Sequence, residues 1–246
     1  MRALFPAITD VVDVHAVYAR GWLEHGGVRA NFVTSSDGAA QADGRSAGLQ
    51  TPGDNRVFAA LRDLADVVLV GAGTAVAEGY APTVLSDRRR AVRRDHGLDP
   101  ALPTAVTSRT LRLDPASALF AGADGPRTIV LTCASAPAEQ RERLAQHTDV
   151  VVCGDDDVDL VAARAALVER GLTRVLSEGG PTAFAQLVRA GVVDELCLSV
   201  SPMLIGPGPG RITAGADEWP DPSGLELVSV LTEDSALFLR YRVIGR

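Results

Sequence analysis

The sequence predicts a single α/β domain built on a mostly parallel sheet, and three observations carry that expectation. Short apolar runs of strand type alternate along the chain with segments of helical periodicity. One run, Val67-Val68-Leu69-Val70, is continuously apolar, as a strand buried on both faces requires. The final segment, 225–244, reads instead as two strands joined around Glu233-Asp234-Ser235, an antiparallel hairpin at the sheet edge. No repeat or linker composition divides the chain.

Taken in order, residues 10–27 read as a helix, with Val11, Val14, Val17 and Tyr18 at helical spacing. Residues 28–34 read as a strand that ends in the loop signal Ser35-Ser36-Asp37-Gly38. Val57, Phe58, Leu61 and Leu64 form the apolar stripe of a helix over 52–65. The buried strand 66–70 runs into Gly71-Ala72-Gly73-Thr74, which turns into a short helix ending near Glu78-Gly79-Tyr80. Further strands are expected at 103–107, 127–133, 148–153, 173–177 and 194–200, and helices at 137–146, 158–170 and 181–190. The arginines of 88–94 read as a solvated helix face, and Asp155-Asp156-Asp157 as a loop.

Composition narrows the function classes. The chain has 246 residues, 46% hydrophobic and 22% charged, which is ordinary globular usage. A formal net charge of −7 argues against nonspecific nucleic-acid binding. Cys133, Cys153 and Cys197 stand far apart, giving neither a C-x-x-C zinc pattern nor a disulfide framework, and a reducing cytoplasm is expected. No apolar segment suits a membrane span, and Met1-Arg2-Ala3-Leu4-Phe5-Pro6 is no signal peptide. His15, His25, His96 and His147 show no metal spacing, so no metal is expected. Neither a G-x-S-x-G elbow nor a G-x-x-x-x-G-K-[ST] loop occurs.

The most informative stretch is Ser177-Glu178-Gly179-Gly180-Pro181-Thr182. A strand stops at a carboxylate, two glycines allow close approach to the backbone, and Pro181 opens a helix whose first N–H groups suit a phosphate. Gly71-Ala72-Gly73-Thr74 supplies a second glycine turn and helix start, an incomplete G-x-G-x-x-G pattern. One dinucleotide can lie across both turns, beyond the carboxyl ends of the strands. Thr107-Ser108-Arg109 matches a phosphate monoester such as the 2′-phosphate of NADPH, or equally a turn with a capping hydroxyl. Ser35, Asp37, Ser46 and Arg62 are candidates for a polar, phosphorylated substrate, although Asp37 before Gly38 also fits a simple turn. Hydride transfer needs alignment rather than a protein nucleophile, so this inventory favours a reductase.

Taken together, these residues resemble the pyrimidine-reductase family of riboflavin biosynthesis, whose fold is like that of dihydrofolate reductase. The resemblance rests on Val33-Thr34-Ser35-Ser36-Asp37-Gly38, on Val70-Gly71-Ala72-Gly73-Thr74 with Glu78-Gly79-Tyr80, and on Ser177-Glu178-Gly179-Gly180-Pro181-Thr182. Gly191-Val192-Val193-Asp194-Glu195-Leu196, leading to Ser201-Pro202-Met203-Leu204-Ile205-Gly206, completes the series. It implies a three-layer sandwich, with an N-terminal helical extension over 1–27 and a reductase domain over 28–246. It also implies reduction by NADPH of 5-amino-6-(5-phosphoribosylamino)uracil, or its 2,5-diaminopyrimidinone counterpart, to the ribitylamino product, in a cytoplasmic homodimer.

Residue by residue, the resemblance places Thr34, Gly71, Gly73, Thr74, Glu78, Gly179, Gly180, Pro181 and Thr182 on the cofactor, with Ser108 near its 2′-phosphate. Ser46, Arg62 and Glu178 fall on the substrate side, with Glu178 or Asp37 orienting the ring or relaying a proton. The bifunctional members carry a zinc deaminase domain with an H-x-E signature. Here the position two after His15 is Val17, so no deaminase activity is expected. Ala39 and Gly48 stand where many members have a basic residue and a tryptophan. Two other readings stay open: a reductase of the same fold acting on dihydrofolate, and a non-catalytic NADPH-binding paralogue.

Overall fold

A ten-stranded sheet crosses the molecule in a computed structural model that describes residues 1–121, 126–215 and 221–244. The strands are β1 (Arg2–Phe5), β2 (Gly27–Ser35), β3 (Val67–Gly71), β4 (Thr104–Thr107), β5 (Ile129–Thr132), β6 (Asp149–Val152), β7 (Arg174–Ser177), β8 (Glu195–Ser201), β9 (Gly224–Glu233) and β10 (Ala236–Ile244). The helices are α1 (Val14–Ala19), α2 (Trp22–His25), α3 (Pro52–Leu64), α4 (Ala72–Ala77), α5 (Asp87–Asp95), α6 (Ala138–Ala145), α7 (Leu160–Val168) and α8 (Pro181–Arg189). Across the sheet the order is β1-β9-β10-β8-β2-β7-β3-β4-β5-β6. Neighbours from β8 to β6 run parallel, whereas β8–β10, β10–β9 and β9–β1 are antiparallel. The mostly parallel α/β sheet and antiparallel C-terminal hairpin expected from the sequence are both present.

Strand alternation explains the three layers. Val67 and Leu69 of β3 pack with Ala163 and Leu167 of α7 and with Phe184 and Leu187 of α8. Val68 points the other way, into a cluster with Val57, Leu61 and Leu64 of α3 and Tyr18 of α1. Val70, Val106 and Val130 extend that second face beneath Leu144 of α6. Each such side chain, fully buried, contributes roughly 1.5–3 kcal/mol. The start of α3 is local chemistry: Thr51 Oγ1 accepts from the Asp54 N–H at 3.1 Å, and Pro52 occupies the first turn.

Three expectations are corrected. The helix over 10–27 is two short ones, because the chain leaves α1 at Arg20 and Gly21 adopts φ 79°. Residues ahead of it are not helical either: Arg2–Phe5 pairs antiparallel with β9, so β1 rather than the hairpin forms that sheet edge. Only Ala3 of the four is buried, which leaves too little alternation to reveal a strand. The third correction concerns the basic helix. Arg93 is fully buried and donates to the carbonyls of Arg62, Asp63, Ala65, Asp99 and Ala101, fastening the end of α3.

Candidate active site

Strand order creates the site. β7 lies between β2 and β3, so the residue after β7 emerges between the segments that follow its two neighbours. There, a cavity of about 570 Å³ is lined by Asn31, Phe32 and Val33 of β2, by the β2–α3 loop, by Asp54, Phe58 and Arg62 of α3, by 73–74 and 77–81, and by Glu178, Gly180 and Pro181. It sits at the carboxyl side of the parallel strands, where ligands of open α/β sheets bind.

Glu178 anchors the floor. Its carboxylate, 3% exposed, accepts from Arg62 Nε and Nη2 at 2.6 Å each, and from the Tyr80 hydroxyl at 2.7 Å. The two parallel N–H···O bonds form a bidentate, charge-assisted pair. Arg62 also stacks on Phe58, its Cζ 4.4 Å from the ring centroid. Burial pulls the Arg62 pKa down, but the hydrogen bonds and charge of Glu178 outweigh it and leave it raised. Burial, and then the Glu178 charge, push the Tyr80 phenol well above its ordinary value. Glu178 and Arg62, both assigned from sequence to the substrate side, therefore meet as one unit. Tyr80 completes it.

The two glycine turns touch. The Gly71 N–H donates to the Gly179 carbonyl at 3.0 Å, and a Cβ at Gly180 would collide with Thr74 Oγ1. Gly179 and Gly180 take φ of 88° and 38°, and a Cβ at Gly179 would lie 2.7 Å from Phe32 Cζ. Among the described residues no side chain caps the N-terminus of α8, and a Cβ on Gly73 would meet none of their atoms within 4 Å. Gly73, Thr74, Glu78, Gly180 and Pro181 line the cavity, as does Ser46 in a single 3-10 turn over 46–49. This wall is a cradle suited to a nucleotide's phosphates: backbone N–H groups at a helix start, with glycine on the approach.

Thr34, Asp37, Gly71, Ser108, Gly179 and Thr182 are not among the residues lining the cavity. Thr34 is buried in β2, opposite Val200. Gly71 and Gly179 stand behind the cradle, and Thr182 is exposed on the first turn of α8. The Ser108 hydroxyl is buried and accepts from the Leu111 N–H at 3.1 Å, the capping alternative allowed by the sequence. Asp37 accepts from the Ser35 hydroxyl, from the Gly206 N–H at 2.7 Å and from the Ile205 N–H at 3.1 Å. These bonds, Ser35 first, lower its pKa to about 2. Asp37 is thus a loop tie, and a poor proton relay near neutrality.

Sequence reasoning missed Asp54, Asn31 and the part played by Tyr80. Asp54 is 4% exposed and is hydrogen-bonded by Ser199 of β8; burial raises its pKa and the Ser199 bond offsets this only in part. Its signal was available, since Asp54, Phe58 and Arg62 stand at i, i+4 and i+8 on one helical stripe. Asn31 Oδ1 is buried with no hydrogen-bond partner among the described residues, which no sequence pattern announces.

Among the described residues no His/Cys/Asp/Glu cluster could hold a metal ion, and no helix is long and apolar enough to cross a membrane. The model of the RibD C-terminal domain family matches residues 27–236. A 2,5-diamino-6-ribosylamino-4(3H)-pyrimidinone 5′-phosphate reductase of Archaeoglobus fulgidus is 30% identical over 180 residues, 73% of this chain and 81% of that protein. The reductase of the same name from Methanothermobacter thermautotrophicus is 28% identical, covering 87% of this chain and 97% of its own. A crystal structure of a pyrimidine reductase-like protein from Corynebacterium diphtheriae superposes with a TM-score of 0.82 at 28% identity, covering 96% of this chain and all of that one. The chain belongs to the RibD C-terminal domain family.

Proposed function

We propose that the chain catalyses the reduction of the ribosyl side chain of a 5-amino-6-(5-phosphoribosylamino)pyrimidine to the ribitylamino product in riboflavin biosynthesis, with NADPH as reductant. The observation that carries this reading is the single cavity joining the paired glycine turns to the Glu178–Arg62–Tyr80 unit. Relatives bearing the name of that reaction cover most of this chain. NADPH supplies a hydride when bound. Gly73, Thr74, Glu78 and the 180–182 turn would hold it, Thr34, Gly71 and Gly179 would shape the strand ends behind these turns, and Ser108 would keep the turn after β4 in shape for its 2′-phosphate.

On the other wall, Arg62 and Ser46 face the phosphoribosyl pyrimidine, and Glu178 holds Arg62 in place while its own oxygens stay shielded from water. Asp37 shapes the β2–α3 loop against 205–206 rather than moving a proton. The protein works as a cytoplasmic homodimer on this small phosphorylated substrate, with neither nucleic acid nor membrane as partner. Light scattering on a sizing column checks the dimer.

The test is the purified protein with either phosphoribosylaminopyrimidine and NADPH, followed at 340 nm beside dihydrofolate. Absorbance falls with the pyrimidines and not with dihydrofolate. No fall with either pyrimidine, while a known reductase works in the same cuvette, overturns the reading. NADH in place of NADPH is expected to give a lower rate.

A further inference from the structure

At the amino end of the parallel strands, opposite the site already described, lies a second cavity of about 590 Å³. The start of β2 (Gly27, Val28, Arg29), the start of β8 (Glu195) and residues 242–244 of β10 line it. Its charge is opposite in sign to that of the chain. Arg20, Arg29, Arg164, Arg240 and Arg242 line it against Asp194 and Glu195, in a protein whose formal net charge is −7.

Both carboxylates are already committed. Asp194 Oδ2 accepts from the Val28 N–H at 2.7 Å and pairs with Arg164 Nη2 at 3.0 Å. Glu195 makes a bidentate pair with Arg240, Nε to Oε2 at 2.9 Å and Nη2 to Oε1 at 2.8 Å, and shares Oε2 with Arg29. Arg29 is 1% exposed, and its Nη2, 2.6 Å from that same oxygen, makes no aligned hydrogen bond among the described residues. Burial, which Glu195 offsets only in part, leaves the Arg29 pKa below its ordinary value. Two buried cations thus share one carboxylate, and the floor of the cavity is under-compensated.

The rim is within reach of a ligand. Arg20 is exposed, and its guanidinium has no ion-pair or hydrogen-bond partner among the described residues. The side chains of Arg164 and Arg242 are 34% and 58% exposed, and a surface pair such as Arg242 with Glu226 is worth little. Guanidiniums with donors to spare, above a positive floor, match a phosphate group, which they grip bidentately. Val193, Val228 and Val243 add apolar wall for the body of a small ester.

We propose that this second cavity binds the phosphate group of a small metabolite, as free phosphate or as a monoester, with Arg20, Arg164 and Arg242 in contact and the Arg29–Arg240 pair supplying the field beneath. The site is separate from the active site and does not depend on the reaction assigned there. Its occupant stabilises the joint between α1 and the sheet, because Arg29 and Arg240 also donate to the carbonyls of Tyr18, Val17 and Arg20.

The experiment adds inorganic phosphate, ribose 5-phosphate or ribose to the full chain in the presence of NADPH, at fixed ionic strength. It reads thermal shift, calorimetric Kd and amide exchange. The phosphate-bearing probes are expected to raise Tm by roughly 5 °C or more at a hundred times their Kd, while ribose leaves it unchanged. The tighter of the two identifies the source of the phosphate. Protection from exchange appears at 20–29 and 240–244. The double variant Arg20→Ala/Arg242→Ala, which alters only exposed side chains, weakens Kd at least tenfold. Glu195→Gln, which takes the counter-charge from the buried pair, gains a larger thermal shift from phosphate than the wild type does. No shift in the wild type, protection confined to 178–182, an unaltered Kd in the double variant, or a smaller shift in Glu195→Gln overturns the assignment.

Discussion

At the scale of single residues, Glu178 accepts from three donors with its side chain only 3% exposed, so its partners are not interchangeable. Arg62→Ala leaves that buried carboxylate with Tyr80 alone, and the expected loss is about 3–5 kcal/mol, read as a lower urea midpoint. Glu178→Gln keeps the shape but removes the charge that holds the guanidinium. Turnover is expected to fall steeply while the NADPH Kd stays within a few-fold, and an equal loss of both would place Glu178 on the cofactor instead. Gly179 tests the cradle separately. A side chain there must take φ 88° and displace Phe32, so Gly179→Ala costs on the order of 1–2 kcal/mol from backbone alone and weakens NADPH binding, measurable by thermal shift with and without cofactor.

At the scale of elements, two charged groups act as fasteners. Asp37 ties the loop after β2 to the backbone of 205–206. Its folded-state pKa, about 2, lies below the ordinary 3.8, so this tie contributes above about pH 4 and is lost as the pH falls through 2. Asp37→Asn is expected to speed amide exchange at Ile205 and Gly206 at pH 6, with the global unfolding midpoint hardly moved because the carboxylate is exposed. Arg93 secures the other end of α3 through its five carbonyl partners. Arg93→Ala strands buried carbonyls and should lower stability by about 3 kcal/mol or more. Arg93→Lys rescues little, since an ammonium cannot reproduce the planar fork. Because α3 carries Asp54 and Arg62, KM for the pyrimidine should rise in both variants before kcat changes.

At the scale of the whole molecule, the two ends of the parallel strands have different tasks. Opposite the cavity, Glu195 at the start of β8 receives Arg29 Nε at 2.7 Å and Arg240 Nε at 2.9 Å. The same guanidiniums donate to the carbonyls of Tyr18, Val17 and Arg20, stapling α1 to the sheet. Burial raises the Glu195 pKa, but the two arginines more than reverse this and leave it below the ordinary 4.5. Its contribution is therefore present above about pH 4.5 and is lost as the pH falls below that value. Glu195→Gln should cost about 3–5 kcal/mol at pH 7, flatten the acid limb of the stability–pH curve, and leave kcat unaltered at temperatures where the variant is folded. A change in kcat at those temperatures would show that the two ends are coupled.

Periodicity and punctuation by themselves determined the α/β class, the alternation from β2 to β8, the hairpin over β9 and β10, and the glycine turns at 71–74 and 179–182. These are local signals, carried by side-chain period and by the backbone freedom of glycine. Only the tertiary structure decided which of the singled-out residues meet. Strand β7 inserts between β2 and β3, so Glu178 reaches Arg62 across the sheet, and Asp54 reaches Ser199 of β8. The edge strand β1 and the burial of Arg93 were equally illegible, because a four-residue strand has too little pattern and a buried arginine looks like a solvated one until its carbonyls are in place. Register and strand order depend on contacts far apart in the chain, and no window of sequence contains both partners.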